Sequence, residues 1–203
     1  GDIVENKMGY CFRVVKEYPL TQFHGRVRLN TGLEYEEGVF ARAGHDVSLE
    51  NMRLEKAAFL DTETTGLAGG TGTVPFMIGV GYVSGNVFRI EQLFMRDYCE
   101  EGAVLLHLSQ LLAGYEYLVT YNGKSYDCTI LSSRFILNRM KDPCADMPHL
   151  DLVHTARRIW KQRLGDCSLT NIEERILGFE RGHDVAGYLI PRLYLTYLRQ
   201  KRG

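Results

Sequence analysis

AAFLDTETTG, residues 57–66, is a short apolar run that leads into two carboxylates and ends at a glycine. An apolar run of this length beside a glycine predicts a buried strand. Because alternate side chains of a strand share a face, Asp61 and Glu63 are expected to point the same way. Two neighbouring carboxylates at the end of a buried strand repel each other and lose hydration, which a divalent cation offsets. Hard oxygen ligands suit Mg²⁺ or Mn²⁺.

The D-x-E pattern alone has a simpler interpretation, because such triplets are most often solvated strand ends or loops. The remaining chain has to supply the context. Its length of 203 residues predicts one α/β domain, and a hydrophobic fraction of 45% is typical of a packed globular chain. The net charge of −1 gives no global basic signal, so any nucleic-acid binding has to come from a local patch.

The five cysteines are scattered and include no C-x-x-C pair, which argues against a zinc knuckle and a disulfide framework. A reduced, cytoplasmic setting is therefore expected. The longest nearly apolar stretch, residues 74–83, is too short to span a membrane, and no signal peptide is visible. We expect no membrane contact.

Periodicity and turn signals predict the order of elements. Strands are expected over 59–64, 74–83 and 87–95, joined by short links as an antiparallel meander, with the third at an edge. A helix over 100–113 and a buried strand over 117–121, parallel to its neighbour, come next. The remaining elements are a helix after residue 127, a short strand over 150–152, and helices over 155–163, 168–178 and 188–199.

This order is that of an α/β, ribonuclease-H-like mixed five-stranded sheet, with three antiparallel strands, then parallel strands, and flanking helices. Composition alone does not separate it from other α/β layouts. Residues 57–203 are predicted to form the main domain, and residues 1–56 an N-terminal extension packed on it.

A third carboxylate, Asp127, stands at the predicted junction between the fourth strand and a helix, where ligands gather at the carboxyl end of a sheet. Metal-assisted phosphodiester hydrolysis needs several carboxylates from separate elements at one spot. We predict that Asp61, Glu63 and Asp127 are both metal ligands and catalytic residues, with two Mg²⁺ or Mn²⁺ ions in the complete site.

Substrate contacts are predicted from both motifs that flank these carboxylates. The residues are Thr64, Gly66, Leu67, Asn122, Lys124 and Ser125. The simpler interpretation of the lysine, an ordinary exposed side chain, has equal weight.

Other chemistries fit less well. Residues 123–125, Gly-Lys-Ser, match the end of a P-loop, but Leu118 stands where the motif needs its first glycine. There is no G-x-S-x-G motif for a serine nucleophile. Nothing in the sequence places a histidine beside a cysteine.

Several motifs together resemble a known family. FLDTETTGL, residues 59–67, resembles the first motif of the DEDD exonucleases, the proofreading-exonuclease branch of the ribonuclease-H-like superfamily. The combination resembles the YprB-type ribonuclease-H-like domain, over about residues 57–198. The segments that carry this likeness are 61–73, 121–127, 149–152, 167–169 and 184–191. The resemblance implies a nuclease fold and divalent-metal chemistry at Asp61, Glu63 and Asp127.

The sequence departs from the DEDD pattern in one respect. Those enzymes carry a fourth carboxylate with a general base, as H-x-x-x-x-D or Y-x-x-x-D on a late helix, and no aspartate after Asp127 has either spacing. We expect that helix to lie beyond residue 203, and the chain as given to be a weak or inactive nuclease, 3′–5′ by analogy. The alternative is a non-catalytic nucleic-acid-binding or scaffolding module.

Residues 157–202 contain ten Lys or Arg and five Asp or Glu, a net charge of +5. This segment is predicted to contact the phosphate backbone of a single-stranded DNA or RNA end. Trp160, Tyr188 and Tyr194 are candidates for stacking on bases, although core packing explains each of them equally well.

Overall fold

The computed structural model describes residues 1–66, 72–182 and 185–200. Their strands are β1 (Asp2–Asn6), β2 (Gly9–Pro19), β3 (Phe23–His24), β4 (Val27–Arg28), β5 (Ala57–Thr64), β6 (Pro75–Ser84), β7 (Val87–Phe94), β8 (Tyr117–Thr120) and β9 (His149–Asp151). Their α-helices are α1 (Val39–Gly44), α2 (Glu101–Leu112), α3 (Asp127–Leu137), α4 (Leu152–Leu164), α5 (Leu169–Ile172) and α6 (Ile190–Gln200).

The strands form a mixed sheet in the order β1-β2-β7-β6-β5-β8-β9, beside a separate β3-β4 hairpin. The predicted antiparallel meander of β5, β6 and β7 is confirmed, and β8 runs parallel to β5 as predicted. Strand β9 is parallel to β8. The ribonuclease-H-like mixed sheet flanked by helices is thus confirmed.

The predicted count of five strands is too low, because β1 and β2 add to the sheet. Strand β2 pairs with all of β7, from Phe12 opposite Phe94 to Pro19 opposite Val87. Strand β7 is therefore interior, and its prediction as an edge strand was wrong. An amphipathic pattern reports which face of a strand is buried. It does not show whether other strands pair with both of its edges.

The two faces of the sheet are covered differently. One face packs against α2, α3 and α6 through a large apolar cluster whose strand residues include Ala58, Leu60, Ile78, Val80 and Leu93. On the other face, a smaller cluster with α1 covers the first half of β5, most of β8 and the middle of β9. The carboxyl end of β5 on this second face stays open.

Helix boundaries follow local capping. Helix α4 begins at Leu152 rather than at the predicted 155, because the Asp151 side chain accepts a hydrogen bond from the Val153 amide and caps the helix. Pro191 lies in the first turn of α6, as predicted. Along the described part of the chain, every helix is too short or too polar to cross a bilayer.

A buried carboxylate links the central sheet to α2. Glu91 of β7 is 6% exposed and accepts a hydrogen bond of 2.5 Å from the Tyr82 hydroxyl. His107 Nε2 lies 3.4 Å from its other oxygen, and Arg13 lies 3.8 Å away. The hydrogen bond with His107 lowers the pKa of Glu91 most, against the opposing effect of burial.

We predict that Glu91→Gln lowers the free energy of unfolding at neutral pH by about 1–3 kcal/mol, the contribution of a hydrogen bond to a charged group. Because the pKa of Glu91 is lowered by folding, this contribution is present above its unfolded value and is lost as the pH falls through the folded value. Urea denaturation at neutral and acidic pH measures the difference.

The matched control is Glu17→Gln, which removes an exposed ion pair with Arg89. Exposed pairs contribute under about 1 kcal/mol, so this variant should lose less stability. Equal losses in the two variants, or a Glu91→Gln loss that does not shrink in acid, would contradict the role given to Glu91.

Candidate metal and nucleic-acid site

The site forms where β5 and β8 part. Their parallel pairing ends at Phe59 opposite Val119, and β8 itself stops at Thr120. Beyond that point, β5 hydrogen-bonds to the first residue of α3 instead of to a neighbouring strand on this side. The Thr62 amide donates a hydrogen bond of 3.1 Å to Asp127 Oδ1, and the Thr62 hydroxyl donates to the same oxygen. Asp127 is thereby held against the residue between Asp61 and Glu63.

Asp61 and Asp127 interact electrostatically. Burial, and after it the charge of Asp127, raise the pKa of Asp61 to about 6, while the Thr62 amide and Arg181 oppose the shift. Water still reaches Asp61, but the walls of its cleft remove much of its hydration. Burial likewise raises the pKa of Asp127, against the hydrogen bonds from Thr62. The surroundings of both carboxylates therefore disfavour their charged forms.

Glu63 lies two residues beyond Asp61 on the same face of β5. In register, Asp61 is opposite Gly79 and Glu63 is opposite Met77, and the pairing then shifts before Thr64. Among the residues that the structure describes, no three His, Cys, Asp or Glu side chains are grouped so that they could hold a metal ion. The structure thus brings Asp61 and Asp127 close enough to interact electrostatically. Metal binding by Asp61, Glu63 and Asp127 stays a prediction.

The turn before Asp127 is fixed by Asp151, which is 4% exposed. Its carboxylate accepts hydrogen bonds from the amides of Asn122 (2.7 Å) and Lys124 (3.0 Å). Asn122 has a φ of 69°, and a Cβ on Gly123 would lie 2.6 Å from Thr120 Cβ. This turn therefore needs a residue that tolerates a left-handed backbone, followed by a glycine.

Sequence reasoning missed the positioning role of Asp151. The available signal was its place directly before an apolar, helix-forming run, which is typical of a helix N-cap. The same carboxylate caps α4 and organises the 122–124 turn, so one side chain links two elements of the site.

Two of the predicted substrate residues of the first motif, Thr64 and Gly66, lie in a hydrogen-bonded cluster at the end of β5. The Thr64 hydroxyl lies 2.9 Å from the Gly66 carbonyl and 3.0 Å from the Tyr126 hydroxyl, which is itself 2.8 Å from that carbonyl. Thr64 is 4% exposed, so its hydroxyl ties β5 to the start of α3. Leu67 and Asp184, the first residue of the 184–191 motif, lie outside the described residues.

The predicted substrate residues of the second motif face different cavities. Asn122 lines a cavity beside α4, whereas Lys124 lines another beside α3 with Thr129 and His149. Ser125 is exposed. Neither Asn122 nor Lys124 lines the cavity that contains Asp61.

A cation that the sequence motifs did not single out lies near Asp61. Arg181 donates a hydrogen bond of 2.6 Å from Nε to Glu173, and its charge counteracts the raised pKa of Asp61. His24 of the β3-β4 hairpin lies 3.4 Å from Glu173 and stacks on Phe179, with 3.8 Å between the ring centroids. The hairpin therefore braces the segment that carries Arg181.

Comparison with known proteins assigns the chain to a family. A sequence profile described as RNase_H superfamily matches residues 58–203. The chain belongs to the RNase H superfamily. It is 35% identical over 196 residues to the uncharacterized protein YprB of Bacillus subtilis (strain 168). That alignment covers 94% of this chain and 46% of YprB, so the chain spans about half the length of this curated relative.

Among solved structures, the zinc-bound complex of E. coli exonuclease I with single-stranded DNA is similar, with a TM-score of 0.50 and 18% identity. It aligns with 72% of this chain and 40% of the exonuclease chain. The complex of the same enzyme with a dT13 oligonucleotide has a TM-score of 0.49 and 18% identity, over 72% and 42% of the two chains. At this identity the likeness concerns the fold.

We predict that Thr62→Val raises the pKa of Asp127 further, because it removes a hydroxyl that hydrogen-bonds the charged form. Titration of the aspartate carboxyl carbons by NMR, without added metal, measures the shift. Thr155→Val is the control, because it removes a hydroxyl that bonds the distant Ala43 carbonyl. An Asp127 titration unchanged in Thr62→Val, or shifted equally by the control, would contradict the assigned contact.

Proposed function

We propose that this domain is a divalent-metal-dependent nuclease that hydrolyses phosphodiester bonds of DNA or RNA, 3′–5′ from a single-stranded end. The observation that carries the proposal is the hydrogen bond from the Thr62 amide to Asp127, because it holds a carboxylate of α3 beside the D-x-E pair of β5. Membership of the RNase H superfamily supports the same reaction class.

The donors at this site fit a hard divalent cation. They are carboxylate oxygens, and burial raises the pKa values of Asp61 and Asp127, so that a bound cation would stabilise their charged forms. We propose that Asp61, Glu63 and Asp127 hold Mg²⁺ or Mn²⁺. Such ions polarise the phosphodiester and supply an activated water when bound.

Neighbouring side chains position the proposed metal ligands. Thr62 orients Asp127 through two hydrogen bonds, and Asp151 fixes the turn that leads into α3. Arg181, held by Glu173, brings a positive charge near Asp61 that favours a phosphate group. We also propose substrate contacts by Thr64, Gly66, Leu67, Asn122, Lys124 and Ser125. Asn122 and Lys124 line cavities other than the one that contains Asp61, so they would contact parts of the substrate away from this carboxylate.

The direction and the substrate are proposed by analogy. The E. coli exonuclease I that shares this fold is found in a complex with single-stranded DNA in a zinc-bound form. The sequence motifs resemble those of DEDD exonucleases, which supports removal of nucleotides from a 3′ end.

The expected activity is weak, since residues 1–203 lack an aspartate at the spacing of the fourth DEDD motif. A second candidate function is nucleic-acid binding without turnover.

We predict that Asp61→Asn and Asp127→Asn each reduce cleavage by about 100-fold or more, because a neutral amide binds a divalent cation poorly. The assay uses 5′-labelled single-stranded DNA and RNA oligonucleotides with Mg²⁺ or Mn²⁺. A ladder that shortens gradually from full length indicates 3′–5′ removal.

The control is Asp146→Asn, an exposed carboxylate that pairs with Lys141. It should cleave like the unaltered chain. Cleavage that survives Asp61→Asn, or that proceeds with excess chelator, would refute the metal nuclease. Tight binding of the oligonucleotides without any cleavage would support the second candidate instead.

A further inference from the structure

Two cavities adjoin near Asp61. The sheet-face cavity, of about 390 Å³, lies over the open part of the sheet, and its lining includes Asp61, Gly79 and Ile90. The α4 cavity, of about 550 Å³, is lined by residues that include Asn122, Arg157 and Lys161.

Tyr121 and Leu169 line both cavities, so the two adjoin at these residues, and together they are called the cleft below. The Tyr121 hydroxyl donates a hydrogen bond of 2.5 Å to the Cys167 carbonyl, which fixes the ring at this junction. Leu169 is 41% exposed and offers an apolar surface opposite it.

The α4 cavity is lined by two cations that form no ion pair within the described part of the chain. Arg157 and Lys161 lie one helical turn apart on α4, both are exposed, and neither has an ion pair with the described residues. Among those residues, Asp166 is the acidic one that lines this cavity. Its oxygens already accept hydrogen bonds from the amide (3.0 Å) and hydroxyl (2.6 Å) of Ser168.

We propose that a nucleic-acid strand whose end lies at Asp61 and Asp127 runs through this cleft, with its phosphates bound by Arg157 and Lys161. The inference rests on the proposed function and assigns the path of its substrate. Each cavity has the volume of a small-molecule site, so the cleft takes a few nucleotides of one strand rather than a duplex. DNA and RNA share the recognised phosphodiester backbone.

The structure divides the cations of α4 between different roles. Arg158 donates a hydrogen bond to the Ala43 carbonyl and so holds α4 against α1. Arg163 is exposed near the end of α4 and does not line the cleft. Of the four Lys and Arg side chains of α4, only Arg157 and Lys161 line the α4 cavity. Arg163 lies on the same helix outside the cavity and provides a matched control.

The test measures binding of fluorescein-labelled oligo(dT) and oligo(U) to the 203-residue protein by anisotropy, with EDTA to prevent cleavage, over a range of salt concentrations. We expect Arg157→Ala/Lys161→Ala to weaken binding of both oligonucleotides by about tenfold or more. The slope of log K against log salt should become less steep by about 0.7 for each lost phosphate contact.

Arg163→Ala removes the same charge from the same helix and should stay within about twofold of the unaltered protein. Circular dichroism confirms that each variant is folded. Weakening by Arg163→Ala equal to that by Arg157→Ala or Lys161→Ala alone, or an unchanged salt slope in the double variant, would overturn the proposal.

The two proposals fail separately. If oligonucleotide binding depends on Arg157 and Lys161 but no cleavage is detected, the proposed strand path is supported and the proposed nuclease activity is refuted. If cleavage depends on metal but oligonucleotide binding is unchanged by substitution of both residues, the nuclease activity is supported and the strand path is refuted.

Discussion

The hydrogen bond from the Thr62 amide to Asp127 is the contact on which the rest of the site depends. Strand β8 stops pairing with β5 at Phe59, which leaves this amide of β5 without a strand partner. A carboxylate at the start of α3 satisfies it, so completing the backbone hydrogen bonding also delivers an acidic group to the D-x-E pair. One hydrogen bond therefore both stabilises the end of β5 and positions a carboxylate of the proposed site.

The same arrangement has an electrostatic consequence. Burial and proximity raise the pKa of Asp61 to about 6, and Asp127 is raised as well. The nearby cation Arg181 is anchored by Glu173 and only partly offsets this. A bound cation, as we propose, would stabilise the charged forms of both carboxylates, and the adjoining cavities that extend to Arg157 and Lys161 are where we propose that the strand lies.

Much of this was predictable from local sequence patterns. The β5–β7 meander follows from short links, the parallel β8 from the intervening helix, and the approach of Asp127 to β5 from its place at a strand-to-helix junction. What sequence did not reveal depends on long-range pairing. Nothing local in residues 1–19 indicates that β2 pairs with β7. The position of Asp151 before a helix predicts a cap, but it does not show that the amides of the 122–124 turn will donate hydrogen bonds to its carboxylate.

The central claim is that Asp61 and Asp127 share one cation. Crystals of the protein soaked in Mn²⁺, with diffraction recorded at the manganese absorption edge, test it most directly. An anomalous peak between the two carboxylates, about 2.0–2.3 Å from an oxygen of each, is the predicted result. Carboxylates of Asp61 and Asp127 that point apart, with no peak between them at saturating Mn²⁺, would contradict it.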